Sequence, residues 1–155
     1  MGRAYARPVT LRSGRRRSLA TCATIAVAAV LSGTGCTARP TSAAAESTVT
    51  AFYDAIARAD GAAACDLLAP VTVEALEDDA DEPCGDALLD GKLGEMLTSR
   101  AGQRPTSASV AGRQAQVLLP SDVVFLTVSG TGWLITAAGC DERPDRPYDC
   151  AIEGS

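Results

Sequence analysis

The residues best suited to covalent chemistry in this chain are four cysteines whose spacing predicts disulfide bonds. Cys65, Cys84, Cys140 and Cys150 follow one another at intervals of 19, 56 and 10 residues. Zinc sites need close sets of cysteine or histidine ligands, and the chain has no histidine and no C-x-x-C pair, so we expect no metal. In an oxidising compartment four such thiols form two disulfides.

Three pairings of these four cysteines are possible. The segment between Cys140 and Cys150, DERPDRPYD, is polar and contains two prolines, so it cannot form a core of its own. A bridge across its base is the simplest way to fix it. This favours Cys140 with Cys150 and leaves Cys65 with Cys84 by elimination.

The first 35 residues have the pattern of a secretory signal peptide. Six arginines and no acidic residue occupy the first seventeen positions, and the thirteen residues LATCATIAVAAVL follow without a charge. This basic region followed by a short apolar region is typical of export signals. The apolar run is shorter than the roughly 20 residues that a membrane span needs.

Cys36 follows this apolar run directly, in the stretch LSGTGC, which is similar to a bacterial lipobox. We expect Cys36 to carry a diacylglycerol and to become the new N-terminus, with a lipid-anchored tether over 36–46 and a single domain over 47–155. Gly33 departs from the pattern, which prefers leucine there. The alternative is a soluble secreted protein cut after Ala45, at an A-x-A site. Either event leaves four cysteines to pair.

The charge of the mature chain argues against nucleic acid as a partner. All 19 acidic residues and only eight of the 14 basic ones lie beyond residue 35, which gives a mature net charge of −11. Phosphate backbones and anionic head groups repel such a surface, and no basic stripe interrupts it. Nucleic acid is therefore not expected as a partner. The export signal and Cys36 instead predict the lipid membrane, through Cys36, and a small apolar ligand or an envelope protein.

Candidates for acid–base chemistry are few. Without histidine, the chain cannot build a Ser-His-Asp or Cys-His site, and no cofactor motif is present. By chemistry alone the candidates are Tyr53, Tyr148, Asp54, Asp66 and Asp122. Since Tyr53 and Asp54 are neighbours about 100° apart on a helix, they cannot both point into one pocket.

Two aromatic residues, Tyr53 and Trp133, are the candidates for lining a pocket. Tyr53 lies on an apolar helical stripe, and Trp133 opens a strand after a tight turn. For both, packing in the core is the favoured interpretation, with the Tyr53 hydroxyl at the rim. The acidic run over 74–82 lacks the spacing and the glycine of an EF-hand, which favours a solvated helix end over a calcium site.

The periodicity of apolar residues predicts helices first and strands afterwards. Val49, Phe52, Tyr53 and Ile56 are spaced as on one helical face, and further helical segments are predicted at 62–69, 71–79 and 84–99. Beyond Pro105 the period changes to two, with strands predicted at 106–112, 113–119, 122–128, 132–138 and 148–153. We therefore expect an α+β fold in which the helices pack on one face of an antiparallel sheet.

Two segments also carry a resemblance to known proteins. FYDAIARADGAAACDLLAP, at 52–70, resembles the opening helices of the nuclear transport factor 2-like superfamily. GWLITAAGCDERPDRPYDC, at 132–150, is similar to the C-terminal end of small actinobacterial lipoproteins. The superfamily resemblance implies a cone, in which a curved sheet wraps on helices around a pocket. Its members include isomerases, cyclases and proteins without chemistry, and the fold alone does not decide among them.

Three functional hypotheses remain from the sequence. The leading one is a membrane-tethered extracytoplasmic lipoprotein domain, without enzyme activity, that binds a small apolar ligand or a protein partner. The second is a small isomerase or cyclase that uses a carboxylate base in the cone pocket. The third is a structural accessory protein whose cone is filled.

Overall fold

Helices form the first half of the described chain and strands form the second. The computed structural model describes residues 40–144 and 146–154, so the predicted signal peptide and Cys36 lie outside it. The elements are α1 (Ser42–Ala57), α2 (Gly61–Cys65), α3 (Pro70–Ala80), α4 (Cys84–Leu89), α5 (Gly91–Arg100), β1 (Ser107–Ala111), β2 (Gln114–Leu119), β3 (Asp122–Ser129), β4 (Gly132–Arg143) and β5 (Arg146–Glu153). Among the described helices, none is long and apolar enough to cross a membrane.

The first helix starts earlier than the sequence pattern indicates. Thr41 caps α1, because its side-chain oxygen accepts a hydrogen bond from the backbone N–H of Ala44 at 3.2 Å. Residues 42–46, which the sequence analysis assigns to the tether, therefore belong to α1, and Ala45 is fully buried. The predicted apolar stripe is buried as expected.

Short helices α2 and α4 lie against each other backbone to backbone. A Cβ atom on Gly61 would come within 2.2 Å of the carbonyl oxygen of Gly85, so only glycine fits at position 61. The Cys65–Cys84 disulfide joins the end of α2 to the start of α4. The structure therefore contains the Cys65–Cys84 pairing that the sequence favours.

The single helix expected over 84–99 is two helices, α4 and α5. Asp90 between them is extended, with φ −95° and ψ 159°, and Gly91 has a φ of +59°, which glycine adopts without steric cost. At Gly94 a Cβ atom would lie 2.1 Å from the carbonyl oxygen of Leu89. Glycine is therefore needed at both positions of the corner.

The five strands form one antiparallel sheet in the order β1-β2-β3-β4-β5, and the predicted α+β class is confirmed. Alternate residues of β2, including Ala115 and Val117, join the core with the helices.

β4 extends five residues beyond its predicted end, and its pairing with β3 shifts register after Val123. Gly139, with a φ of +69°, lies in the irregular part. Such a bulge bends a strand and redirects its side chains.

The second disulfide crosses the last two strands. Cys140 and Cys150 are register partners in β4 and β5, and their sulfur atoms are bonded. The segment between them, most of which continues β4 and β5, is therefore closed at its base, as the favoured pairing predicts.

The sheet has two distinct ends, because every second turn between its antiparallel strands lies at the same end. The tether end comprises Pro40, Thr41, the β1–β2 turn at 112–113 and the β3–β4 turn at 130–131. The carboxylate end comprises the β2–β3 turn at 120–121, Asp122 and residues 139–141 of β4. Helix α1 connects them: Thr41 accepts a hydrogen bond from Trp133, and Tyr53 bonds Asp122.

Candidate functional site

The most deeply buried carboxylate of the described chain is that of Asp122. This residue opens β3 and lies on the same side as Val124 and Leu126, which belong to the core. Its side chain has no exposed surface. An ionised carboxylate in such a place is stable only when protein groups replace the water that it has lost.

Four protein donors surround this carboxylate. Oδ1 accepts from Arg100 Nη1 at 3.0 Å and from the backbone N–H of Cys140 at 2.7 Å. Oδ2 accepts from the Tyr53 hydroxyl and from the backbone N–H of Gly139 at 3.3 Å. An ionised carboxylate offers about four lone-pair sites, so the acceptor capacity of Asp122 is filled.

Tyr53 supplies its donor from α1. The residue is 1% exposed, and its hydroxyl lies inside the protein rather than at the rim. Burial first, then the negative charge of Asp122 and the hydrogen bond to it, raise the pKa of Tyr53 far above its ordinary value of 10.0. The hydroxyl therefore remains protonated at neutral pH and acts as a permanent donor.

Arg100 is the last residue of α5, where a cation interacts favourably with the helix dipole. Its guanidinium bonds Asp122 and, through Nη2, Asp141 Oδ1 at 3.2 Å. Arg100 is 8% exposed, whereas the side chain of Asp141 is 74% exposed. One guanidinium thus joins a buried and an exposed carboxylate.

Arg100 is not among the candidates predicted from the sequence, although its position on α5 carries a signal. Arg100 lies seven, four and three residues after Leu93, Met96 and Leu97, on the same apolar stripe of α5. A charged side chain on a buried stripe requires a buried partner. The inward position of Asp122 in the predicted strand is the matching signal.

Chemically, this arrangement is suited to holding elements together and not to proton transfer. A general base needs a free lone pair within hydrogen-bond reach of its substrate, and each lone pair of Asp122 already has a protein donor. The network instead connects α1, α5, β3 and the bulge of β4. Within the described residues, no buried side-chain nitrogen or oxygen lacks a partner.

The other candidate residues lie apart from Asp122 or at the surface. Trp133 is 4% exposed in the core, and its Nε1 donates to the carbonyl of Thr41 at 3.0 Å. Tyr148 packs edge-on against Phe125, with ring centroids 5.1 Å apart, in a second small apolar cluster. Asp54 and Asp66 are exposed.

The acidic residues at 74–82 are exposed. Their exposure agrees with the interpretation of a solvated helix end. Glu77 uses one carboxylate oxygen to accept from the backbone N–H of Cys84 at 3.0 Å, which caps α4. In the part of the chain that the structure describes, no group of three or more metal-ligating side chains could hold a metal ion.

Clefts lie at both ends of the sheet. At the carboxylate end, a cleft of about 360 Å³ is lined by residues 118–123 and 140–142. At the tether end, a cleft of about 470 Å³ is lined by Pro40, Val110, Gly112, Arg113 and Val128. The first adjoins a carboxylate whose hydrogen bonds are already satisfied, whereas the second adjoins the point where the chain enters the domain.

No protein-family model matches the chain, and the searches of curated proteins and of solved structures also return no significant match.

Proposed function

We propose that this chain is an extracytoplasmic lipoprotein, anchored through Cys36, whose domain acts without catalysis by binding a protein partner in the envelope. The observation that carries the non-catalytic part is the saturation of Asp122 by four protein donors. The only deeply buried carboxylate among the described residues has no lone pair left for a substrate.

A protein partner is favoured over a small apolar ligand because the space between the helices and the sheet is occupied. The side chains of Phe52, Leu97, Leu126 and Ile135 are at most 1% exposed there. A ligand inside the proposed cone would have to displace them, and emptying a packed core costs several kcal/mol. Recognition at the surface requires no such rearrangement.

Two features support export and anchoring at Cys36. Both disulfides are of the kind that persists outside the cytoplasm. Cleavage after Ala45 would remove the Thr41 cap, the first turn of α1 and the acceptor of the Trp133 indole. Cleavage before Cys36 leaves all three in place, and therefore fits the folded domain better.

As part of the same proposal, the domain has the cone-shaped fold of the nuclear transport factor 2-like superfamily. Helices against one meander sheet and a bulge in β3 and β4 are compatible with a curved sheet. A carboxylate-base enzyme is the second candidate, since Tyr53 and Asp122 are the residue types that superfamily isomerases pair. The bonds from Arg100 and the β4 backbone count against it.

The test is the intact mass of the protein extracted from membranes of its own host, before and after reduction. We expect a chain that starts at Cys36, carries a diacylglyceryl group and gains four hydrogens on reduction. The variant Cys36→Ala should lose the adduct. A lipid-free chain that begins near Glu46 would contradict the anchor.

Binding is tested separately by crosslinking in those membranes and by native mass spectrometry of the purified protein. A crosslinked envelope protein that is released by surface substitutions supports the proposal. A small molecule retained inside the domain would contradict it and favour a ligand-binding or enzymatic role.

A further inference from the structure

We propose that the tether end of the domain rests against the lipid surface, with Arg113 and Val110 facing the headgroups. This inference builds on the proposed anchor at Cys36. It adds to that anchor an orientation, in which the carboxylate end points away from the membrane.

The first argument is the length of chain between the anchor and the fold. Only three residues separate Cys36 from Pro40, where the described structure starts. Since an extended chain spans at most about 3.6 Å per residue, the two positions are no more than about 14 Å apart. The end of the domain that holds Pro40 must therefore stay close to the membrane.

The second argument is that the entry point is fixed to the sheet. The Trp133 indole holds the Thr41 carbonyl, and Pro40 shares a cleft with Val110 and Arg113. Arg113 Nη2 donates to the carbonyl of Val128 at 2.7 Å, which joins the β1–β2 turn to the end of β3. The lipid anchor is thereby directed to the end of the sheet where these turns lie.

The third argument is the distribution of charge. Between Pro105 and Cys140 the only charged residues are Arg113 and the buried Asp122, so the two turns carry one positive charge and no negative one. The rest of the mature chain is strongly acidic. A surface of anionic headgroups attracts basic residues and repels acidic ones, and this end is the one that such a surface favours.

The fourth argument is an exposed apolar side chain at the same place. Val110 is 40% exposed and is one of two large apolar residues exposed among the described ones. An arginine beside an aliphatic side chain suits the boundary between headgroups and acyl chains. A lipid surface is therefore the occupant that this cleft fits.

The experiment uses the single tryptophan of the chain, which lies at the tether end. The lipidated protein is reconstituted into vesicles of phosphatidylethanolamine and phosphatidylglycerol that contain phosphatidylcholine with a nitroxide on its headgroup. We expect Trp133 fluorescence to be quenched relative to vesicles without nitroxide. In the matched control, Trp133→Phe with Tyr148→Trp, the fluorophore lies on β5 beside Asp149, the register partner of Asp141 at the carboxylate end, and should lose no intensity.

A charge-reversal series sharpens the result. Arg113→Ala removes the bond to Val128, and Arg113→Glu also adds a negative charge, so the loss of quenching should be larger for Arg113→Glu. Circular dichroism confirms that each variant is folded.

The outcomes separate the orientation from the anchor, because the intact mass of the same sample is measured first. A diacylglyceryl adduct with quenching confined to Trp133 supports the proposal. An adduct with equal quenching at both ends, with stronger quenching of the control, or with no quenching at either end overturns the orientation alone. A protein without the adduct overturns the anchor and, with it, this inference.

Discussion

At the carboxylate end of the sheet, Arg100 and Asp122 point inward and bind each other, whereas at the tether end Arg113 stays at the surface. The first pair satisfies charges that burial would otherwise destabilise. The second residue keeps its guanidinium at the surface, where it donates to the Val128 carbonyl. The buried pair in this domain therefore stabilises the fold, whereas the proposed membrane contact lies at the tether end, where the charge stays exposed.

The largest expected effect comes from Asp122→Ala. This substitution leaves the Arg100 guanidinium and the Tyr53 hydroxyl buried without their acceptor, and removing one partner of a buried ion pair costs about 3–5 kcal/mol. Urea denaturation measures the loss. The matched control is Asp141→Ala, which removes the exposed carboxylate on the same guanidinium and should cost at most about 1 kcal/mol. Equal losses would show that burial does not distinguish the two carboxylates.

Tyr53→Phe removes only the hydroxyl that donates to Asp122, and tests what this hydrogen bond contributes to stability. Loss of a hydrogen bond to a charged group should reduce the free energy of unfolding by about 1.5–3 kcal/mol at neutral pH.

The pH dependence of that loss has a defined sign. The pKa of Tyr53 is raised in the folded protein, so its contribution is fully present below the unfolded pKa of 10.0 and declines above it. There the unfolded chain releases a proton that the folded protein keeps. Wild-type stability should fall about 1.4 kcal/mol per pH unit more steeply than that of Tyr53→Phe above about pH 10. Parallel curves in urea titrations would contradict the raised pKa.

Thr41→Ala tests how firmly the tether end holds the first helix. Removing the side chain that caps α1 should cost about 1 kcal/mol, measured as a fall in the midpoint of urea denaturation. Thr41→Ser keeps a hydroxyl at the cap and should recover most of the stability. No difference between the two variants would mean that the cap does not stabilise α1.

The smallest effect on stability is expected for Arg113→Ala. The guanidinium is exposed and its bond to the Val128 carbonyl lies in solvent, so the free energy of unfolding should change by about 0.5 kcal/mol or less. Thermal denaturation by circular dichroism measures it. A loss as large as that of Asp122→Ala would show that Arg113 is needed for the fold, which would remove the contrast between the two ends.

The sequence predicts the order of elements well because their signals are local. Apolar periodicity identifies α1 and the strands, and the proline-rich segment favours the Cys140–Cys150 bridge. The break at Asp90 is not predicted, since it depends on the approach of Gly94 to the Leu89 carbonyl. The extra length of β4 follows from pairing across a bulge at Gly139, which neighbouring residues alone do not specify.

The site is predicted only in parts. Tyr53 and Asp122 are both candidates by chemistry, but 69 residues separate them, and only the packing of α1 on the sheet brings them together. The two residues do not line a pocket, because Arg100 and the backbone of β4 supply the remaining hydrogen-bond donors to Asp122. Those partners depend on tertiary structure, which local sequence patterns do not specify.

Hydrogen exchange of the lipidated protein, compared with and without vesicles, tests the contrast between the two ends most directly. We predict slower exchange in vesicles for the amides at 111–114 and 129–132, with unchanged exchange at 119–122 and 139–142. Slower exchange confined to the carboxylate end, or an equal change at both ends, would contradict the account.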